Sequence, residues 1–420
     1  MSKLSRISAL APFQVRDYRR LWCGDLLTSW AFEMENIILG WYILVETGSV
    51  VLLALYGSLI YLGTLVSPMF GVMGDRIGHR NLLTGMRLSY ACLAAVIAAL
   101  GLAGNLSPIV VLCIVGVIGM IRPSDLGVRA ALVSAIVPPA QLMPATSLAR
   151  TTVESARITG AIAGAYLVAQ LGMSHAYIAI ALFYLLGALA TQRVQPPPPR
   201  QILRDAAGDV MAHPSPWRDL KEGIVYVWRA PQLLACMLIA FIVNLTAYPM
   251  SNGLLPYVAR EIYKIDQTGL SYLVAGFAGG GLIGSIALSV MGTRVRAGRM
   301  TVVFVLIWYV MLLAFSRMPT PATGFAVLMV AGACQTLSLV SLSVLLLRTS
   351  EERYRGRVMG VRMLAIYGLP TGLMLSGPLL ASQGFVATST LYVAFGTACV
   401  LLICWRWWRY LWPLDAKANG

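Results

Sequence analysis

The stretch Gly71-Val72-Met73-Gly74-Asp75-Arg76-Ile77-Gly78-His79-Arg80 separates two long apolar runs. Ser49 to Phe70 before it and Leu88 to Ile121 after it contain no charged residue. An ionised side chain is costly in hydrocarbon, so a dense charge cluster between two such runs belongs at a water interface. Its glycines read as a short bent loop joining two membrane spans.

Composition extends that reading to the whole chain. Of 420 residues, 58% are hydrophobic and only 12% charged, about half the charge of a soluble domain; mean hydropathy is +0.75. The basic stretch Met1 to Arg20 leads into an apolar run longer than a secretory signal. The seven cysteines stand singly in or beside apolar runs and read as packing residues. The net charge of +15 invites a nucleic-acid reading, but its distribution points to a membrane. Of the 32 Lys and Arg, only Arg260, Lys264 and Arg317 fall in connections placed outside; most others cluster at every second connection. That is the positive-inside pattern, so both termini are expected in the cytoplasm and the number of spans is even.

About 20 apolar residues cross a bilayer. On that measure, spans are expected at roughly 21–45, 50–73, 82–103, 107–135, 146–170 and 174–193. A second set is expected at roughly 231–259, 267–292, 299–317, 321–347, 358–381 and 386–408. Between them lies the only long hydrophilic segment, opening on Gln195 and four prolines, which reads as an inner linker with room for a short surface helix. The expected domains are therefore an N-terminal six-helix bundle (1–193), a linker (194–230) and a C-terminal six-helix bundle (231–420). Met291-Gly292-Thr293-Arg294-Val295-Arg296-Ala297-Gly298-Arg299 repeats the opening stretch in degraded form, with Thr293 in place of Asp75. Paired repeats in a polytopic chain point to a transporter with its site between the halves.

Gly71, Asp75, Arg76, Gly78 and Arg80 resemble the signature between the second and third helices of the major facilitator superfamily, with His79 where that family often has Arg. Phe13 to Trp22 leading into Gly24-Asp25, Glu46-Thr47-Gly48-Ser49, Ala156-Arg157-Ile158-Thr159-Gly160, and Leu254-Leu255-Pro256 with Gly269 resemble its drug-exporter branch, which includes macrolide-efflux and enterobactin-export proteins. The resemblance implies an all-α membrane fold of about twelve helices in two pseudo-symmetric bundles, working by alternating access. It also makes spans one, four and five of a half close neighbours, and a monomer the default.

Charged residues inside spans are the candidates for chemistry. In the first span, Asp25, Ser29, Glu33, Asn36 and Gly40 share one helical stripe, with Glu35 off it. Asp25, nearer the cytoplasm, reads as solvated. Arg122, Asp125 and Arg129 share a face of the fourth span, and Arg150, Glu154 and Arg157 a face of the fifth. With the family's helix arrangement, Glu33, Glu35, Arg122, Asp125, Glu154 and Arg157 form a central polar cluster. Four deep carboxylates against two deep cations, Arg122 and Arg157, leave a carboxyl group able to carry a proton, and Glu33 is the expected carrier. A fully paired scaffold network is the alternative.

The second half has no deep carboxylate, so a proton site must lie in the first. Asn36, Trp41, Tyr42, Asn244, Tyr248, Gln335 and Tyr367 are the candidate lining of a substrate cavity for an amphipathic or aromatic molecule. His79, His175 and His213 lie apart, so no metal set is apparent, and no nucleotide-binding or nucleophile motif supports an enzyme or a cofactor. The expected function is proton-coupled export of a small amphipathic molecule, a drug or siderophore-like metabolite, across a bacterial inner membrane, with lipids and protons as the other partners. An importer or uniporter of a polar metabolite, a lipid flippase, and a non-transporting sensor or scaffold are the rivals.

The resemblance finally assigns Gly71, Asp75, Arg76, Gly78, Arg80 and Arg129 to a cytoplasmic gate. Asp75 is expected near the start of the eleventh span, around Gly356 to Gly360, and Arg80 is expected to reach Asp125. Asp75→Asn should then weaken transport while sparing membrane insertion; normal flux in that variant would make the stretch a plain turn.

Overall fold

In the computed structural model, residues 11–138, 141–195, 216–291, 296–351 and 354–412 are described. Helix α1 (Arg16–Thr47) ends at Gly48, whose left-handed φ of 61° lets its N–H return to the Leu44 carbonyl. Ser49 then caps α2 (Val50–Leu59) by accepting from the Leu52 N–H. The second span does not run on unbroken. It tightens into a 3-10 turn at Leu62–Leu65 and restarts as α3 (Ser67–Ile77), with Pro68 in the first turn, where no N–H is needed. At the break, Gly63 lies against the Met120 backbone, where a Cβ would overlap the carbonyl.

The opening stretch is mostly helix rather than loop. Residues 71–77 finish α3, and α4 (His79–Leu102) starts at once. The reversal is made at Gly78 alone (φ 88°, ψ 131°), a backbone conformation that a Cβ would strain. The side chain of Asp75 lies outside the described residues, as does the whole of Thr293.

Helix α5 (Pro108–Ile136) opens on Ser107 as cap and Pro108. Helix α6 (Leu142–Gln192) holds two expected spans, broken by Gly172 at φ 79°. The second half repeats this design. A short surface helix α7 (Pro216–Arg229) occupies the end of the expected linker. Helix α8 (Pro231–Tyr248), the turn α9 (Leu255–Tyr257) and two π-helical turns run on to Ile262. Then come α10 (Gln267–Met291), α11 (Ala297–Phe315) and α12 (Pro321–Thr349), the last capped by Thr320 before Pro321 as α5 is by Ser107 before Pro108. Helix α13 (Arg355–Leu364) passes through a short 3-10 turn into α14 (Gly368–Arg406), broken at Gly384 as α6 is at Gly172. A last turn, α15 (Trp408–Leu411), closes the described chain.

Eight helices meet length and hydropathy limits for a span among the described residues. The twelve expected crossings reduce to eight because α6 and α14 each make two, α2 and α3 share one, and α1 carries its charges. Within the first half, α1 and α4 pack along α6; within the second, α10 and α11 pack on α12, and α8 on α14. Glycines set the spacing in the second half: a Cβ on Gly280 would overlap the Met329 carbonyl, and one on Gly332 that of Phe277. Large apolar side chains such as Ile109, Tyr166 and Leu402 stay exposed, as lipid-facing residues do.

The halves meet through α2 with α14 and α6 with α10. At the end away from the chain termini the fit is close: a Cβ on Gly377 would sit 3.0 Å from Ala54, and Ser58 Oγ donates to the Pro370 carbonyl at 3.0 Å. There too the Arg260 guanidinium donates to the Leu44 carbonyl. At the other end, α7 is tied to α13 by Arg357–Glu222 (3.1 Å) and by stacking of Tyr226 on Tyr354 (4.3 Å).

Candidate functional site

Helix α1 buries three carboxylates, Asp25, Glu33 and Glu35, each less than a tenth exposed. Each meets a cation from a different neighbouring helix, which is what makes their burial tolerable. Asp25 is not solvated, as its sequence position had suggested. Its Oδ1 accepts from Arg87 of α4, and its Oδ2 lies 3.9 Å from Arg129 Nε of α5. Arg87 is fully buried and also donates to Thr191 Oγ1 and the Gly187 carbonyl of α6. One guanidinium thus joins three helices.

Halfway along α1, Glu35 Oε2 accepts from Tyr184 OH (2.8 Å) and Arg122 Nη1 (3.4 Å), while Arg122 Nη2 donates to Tyr184 OH (3.1 Å). The Arg122 guanidinium lies 3.2 Å from the centre of the Phe32 ring, so a flat, delocalised cation is held by both charge and π-face. Glu33, two residues earlier, takes a separate partner: Arg157 Nε at 3.9 Å. Arg157 in turn lies 3.6 Å from Glu154, which Arg150 approaches to 3.9 Å. The expected cluster therefore exists as two linked groups, one around Arg122 and one around Arg157.

Asp125 stands apart from both. It lines a cavity of about 170 Å³ with Asp25, Glu33, Arg87, Arg122 and Arg129. Among the described residues it makes no ion pair, and its buried Oδ2 has no hydrogen-bond partner. Glu35 Oε1 is likewise buried and unpartnered, but Glu35 has Arg122 beside its other oxygen. Asp125 is thus the acid of this cavity that has no cation within ion-pair distance among the described residues.

The expected gate contacts differ. Arg80 donates to Asn81 Oδ1 (2.8 and 3.1 Å) and to the Val194 carbonyl (3.3 Å), not to Asp125. A basic residue two positions into α4 lies at the helix end, where free carbonyls are closer than a carboxylate on α5. Arg129 pairs with Asp25 inside the first half, and Arg76 is exposed. Gly71 lies within α3, not in a loop.

Of the expected cavity lining, Asn36 accepts from Tyr56 OH through both its carbonyl and Oδ1 (3.1 Å each), beside Glu35 and Arg122. Trp41 packs against the core. Tyr42 donates to the Leu106 carbonyl (3.1 Å) and so anchors the α4–α5 connection. Asn244 donates to the Ala240 carbonyl of its own helix and sits against Gly368, within the second half's own packing. Tyr248 stands edge-on to Trp308 and adjoins Gln335, close enough to Arg157 for their charges to interact across the halves. Tyr367 lies in the turn between α13 and α14.

Arg87 was missed because it closes the run of cations from Arg76, which as a group reads as interfacial. Its place eight residues into α4, about 12 Å past the helix start, was the available signal. Tyr184 gave no signal beyond an apolar helix with a hydroxyl.

Removing one member of a buried pair leaves the other uncompensated, typically at about 3–5 kcal/mol. Arg87→Gln should therefore lower the thermal unfolding midpoint of the purified protein by several degrees, and adding Asp25→Asn should recover most of the loss. Additive losses in the double variant would show that the two side chains act independently.

Residues 21–264 match the sequence profile of the Major Facilitator Superfamily. The multidrug efflux pump Tap of Mycobacterium tuberculosis and of Mycobacterium bovis is 30% identical over 190 residues, which is 44% of this chain and 44% of the pump, so the match spans under half of those relatives. Among solved structures, a bacterial homologue of the human lysosomal transporter Spinster, inward-facing and unoccupied, superposes with a TM-score of 0.74 at 13% identity, over 96% of this chain and 99% of that one. The nucleoside transporter NupG gives 0.70 at 12% identity, over 95% and 100%. Sharing the profile over more than half its length and the fold over nearly all of it, this chain belongs to the Major Facilitator Superfamily.

Proposed function

We propose that the protein is a proton-coupled exporter of small amphipathic molecules, in which the first half carries the proton and the gap between the halves carries the cargo. The observation behind the coupling is Asp125, an acid on a 170 Å³ cavity with a buried oxygen and no cation paired to it, among four acids that each have one. It displaces Glu33, already paired to Arg157, as the leading carrier. The one Asp or Glu in the membrane helices of the second half is Glu261, at the end of its span and paired with Arg260 and Lys264, which leaves the deep acids to the first half. The direction of transport follows the partial likeness to the Tap efflux pump.

The domain division is 1–193, 194–230 and 231–420, with both termini on the cytoplasmic side by the distribution of Lys and Arg. On that orientation the close fit around Gly377, Ser58 and Arg260 seals the outer end. Arg150, Glu154 and Arg157 are then reached from the cytoplasm, as in an inward-open carrier.

A gradient of one pH unit is worth about 1.4 kcal/mol per proton, so one-for-one exchange can concentrate a cargo about tenfold. Proteoliposomes holding the wild type should accumulate an amphipathic xanthene dye, sulforhodamine B or rhodamine 6G, toward that ratio and lose it when a protonophore is added. Asp125→Asn should leave the dye near equilibrium on both sides. Accumulation by the wild type that ignores the gradient contradicts proton coupling; accumulation unchanged in the variant contradicts Asp125 as carrier.

A further inference from the structure

Helix α13 begins at Arg355, so Arg362 lies about 10 Å into the helix at 1.5 Å per residue. It is half-buried, and among the described residues it makes neither an ion pair nor a hydrogen bond. The polar groups near enough to act on its charge are Tyr248 and Cys236 of its own half and Arg150 of the other. The first two are neutral and the third is a like charge. The one acid in the second half's membrane helices, Glu261, is already paired with Arg260 and Lys264.

Across the gap, the first half offers two acids, and both are already held. Glu154 lies between Arg150 and Arg157, at 3.9 and 3.6 Å. Glu33 has a side chain only 9% exposed and faces Arg157. Arg150, by contrast, is 61% exposed, and Arg157 is 29% exposed. Among the described residues, Arg150 and Arg157 thus share Glu154 and Glu33, and Arg362 has no ion pair. A guanidinium in that position is unfavourable until an anion reaches it. A guanidinium also binds carboxylates, sulfonates and phosphates through paired N–H donors better than any other side chain.

We infer that the cargo carries an acidic group, which Arg362 and Arg150 receive from opposite sides of the gap. Tyr61 and Tyr248 both lie near Arg157 and would give the cargo's apolar or aromatic body a surface to pack on. The inference rests on the transport reading above and narrows it to amphipathic anions.

The test uses two dyes with one xanthene body, the net-anionic sulforhodamine B and the cationic rhodamine 6G. Their transport is compared in proteoliposomes of pure phosphatidylcholine containing wild type, Arg362→Gln or Arg362→Lys. The wild type should favour sulforhodamine B. In Arg362→Gln the anion-to-cation ratio of kcat/KM should fall about tenfold, the effect of losing one charge-assisted contact, mostly through KM. Arg362→Lys, which keeps the charge but not the paired donors, should restore part of it. Equal changes for both dyes in Arg362→Gln would make Arg362 a structural residue and overturn the inference. A wild type that carries only rhodamine 6G overturns it too but leaves transport standing; one that carries neither dye counts against transport itself. An anion preference that appears only when phosphatidylglycerol is added would assign Arg362 to a lipid headgroup, which also overturns a cargo role.

Discussion

A carboxylate taken out of water costs several kcal/mol unless a cation and donors meet it, and α1 carries three on its buried face. Each finds its partner on a different helix: Asp25 on α4 and α5, Glu35 on α5 and the second arm of α6, Glu33 on the first arm of α6. The first half is therefore assembled around α1 by specific charge pairs as much as by apolar packing. Gly24 and Gly160 let the neighbours close in, since a Cβ on the first would meet Arg87 and Gly187, and one on the second would meet Glu33 and Trp30. The second half holds its helices together without acids, through Gly280, Gly284 and Gly332 set against backbone carbonyls. Two halves of one design thus use different cohesion.

On the proposed reading that asymmetry divides the labour. In the half built on charge pairs, one acid would exchange a proton and so alter the balance for its neighbours. Asp125 shares its cavity with Asp25, Arg87, Arg122 and Arg129. A charge change there acts on the groups that hold α1 against α4 and α5. A half built on glycine contacts is stiffer and supplies shape: Trp308 and Tyr248 pack edge to face beside Gln335. The halves meet mainly through two helix pairs, α2 with α14 and α6 with α10, with smaller contacts of α1 to α9 and α10.

Much of the fold was legible in the sequence, because span length and the alternation of basic connections are both set by the bilayer. Helical spacing put Arg122, Asp125 and Arg129 on one face of α5 and Arg150, Glu154 and Arg157 on one face of α6. The family's helix arrangement suggested that they meet Glu33, but which acid takes which cation came only from the structure. What escaped was depth. Arg87 and Arg362 each end a run of cations that begins at a connection, and counting such runs as one cluster hides that their last member lies about 10 Å or more inside. Asp25 was misread for the same reason, since its partner was placed at the surface. Side-chain reach was the other loss. Arg80, Tyr42 and Asn244 all find carbonyls close at hand, and sequence spacing gives no account of such local partners.

The central claim is that a first-half acid gives up its proton when cargo binds. It is tested most directly by adding a dye that the reconstituted protein carries to purified protein in weakly buffered solution and following the pH. The account predicts acidification that saturates with the dye and is absent in Asp125→Asn. No proton release by the wild type, or the same release by the variant, would contradict it.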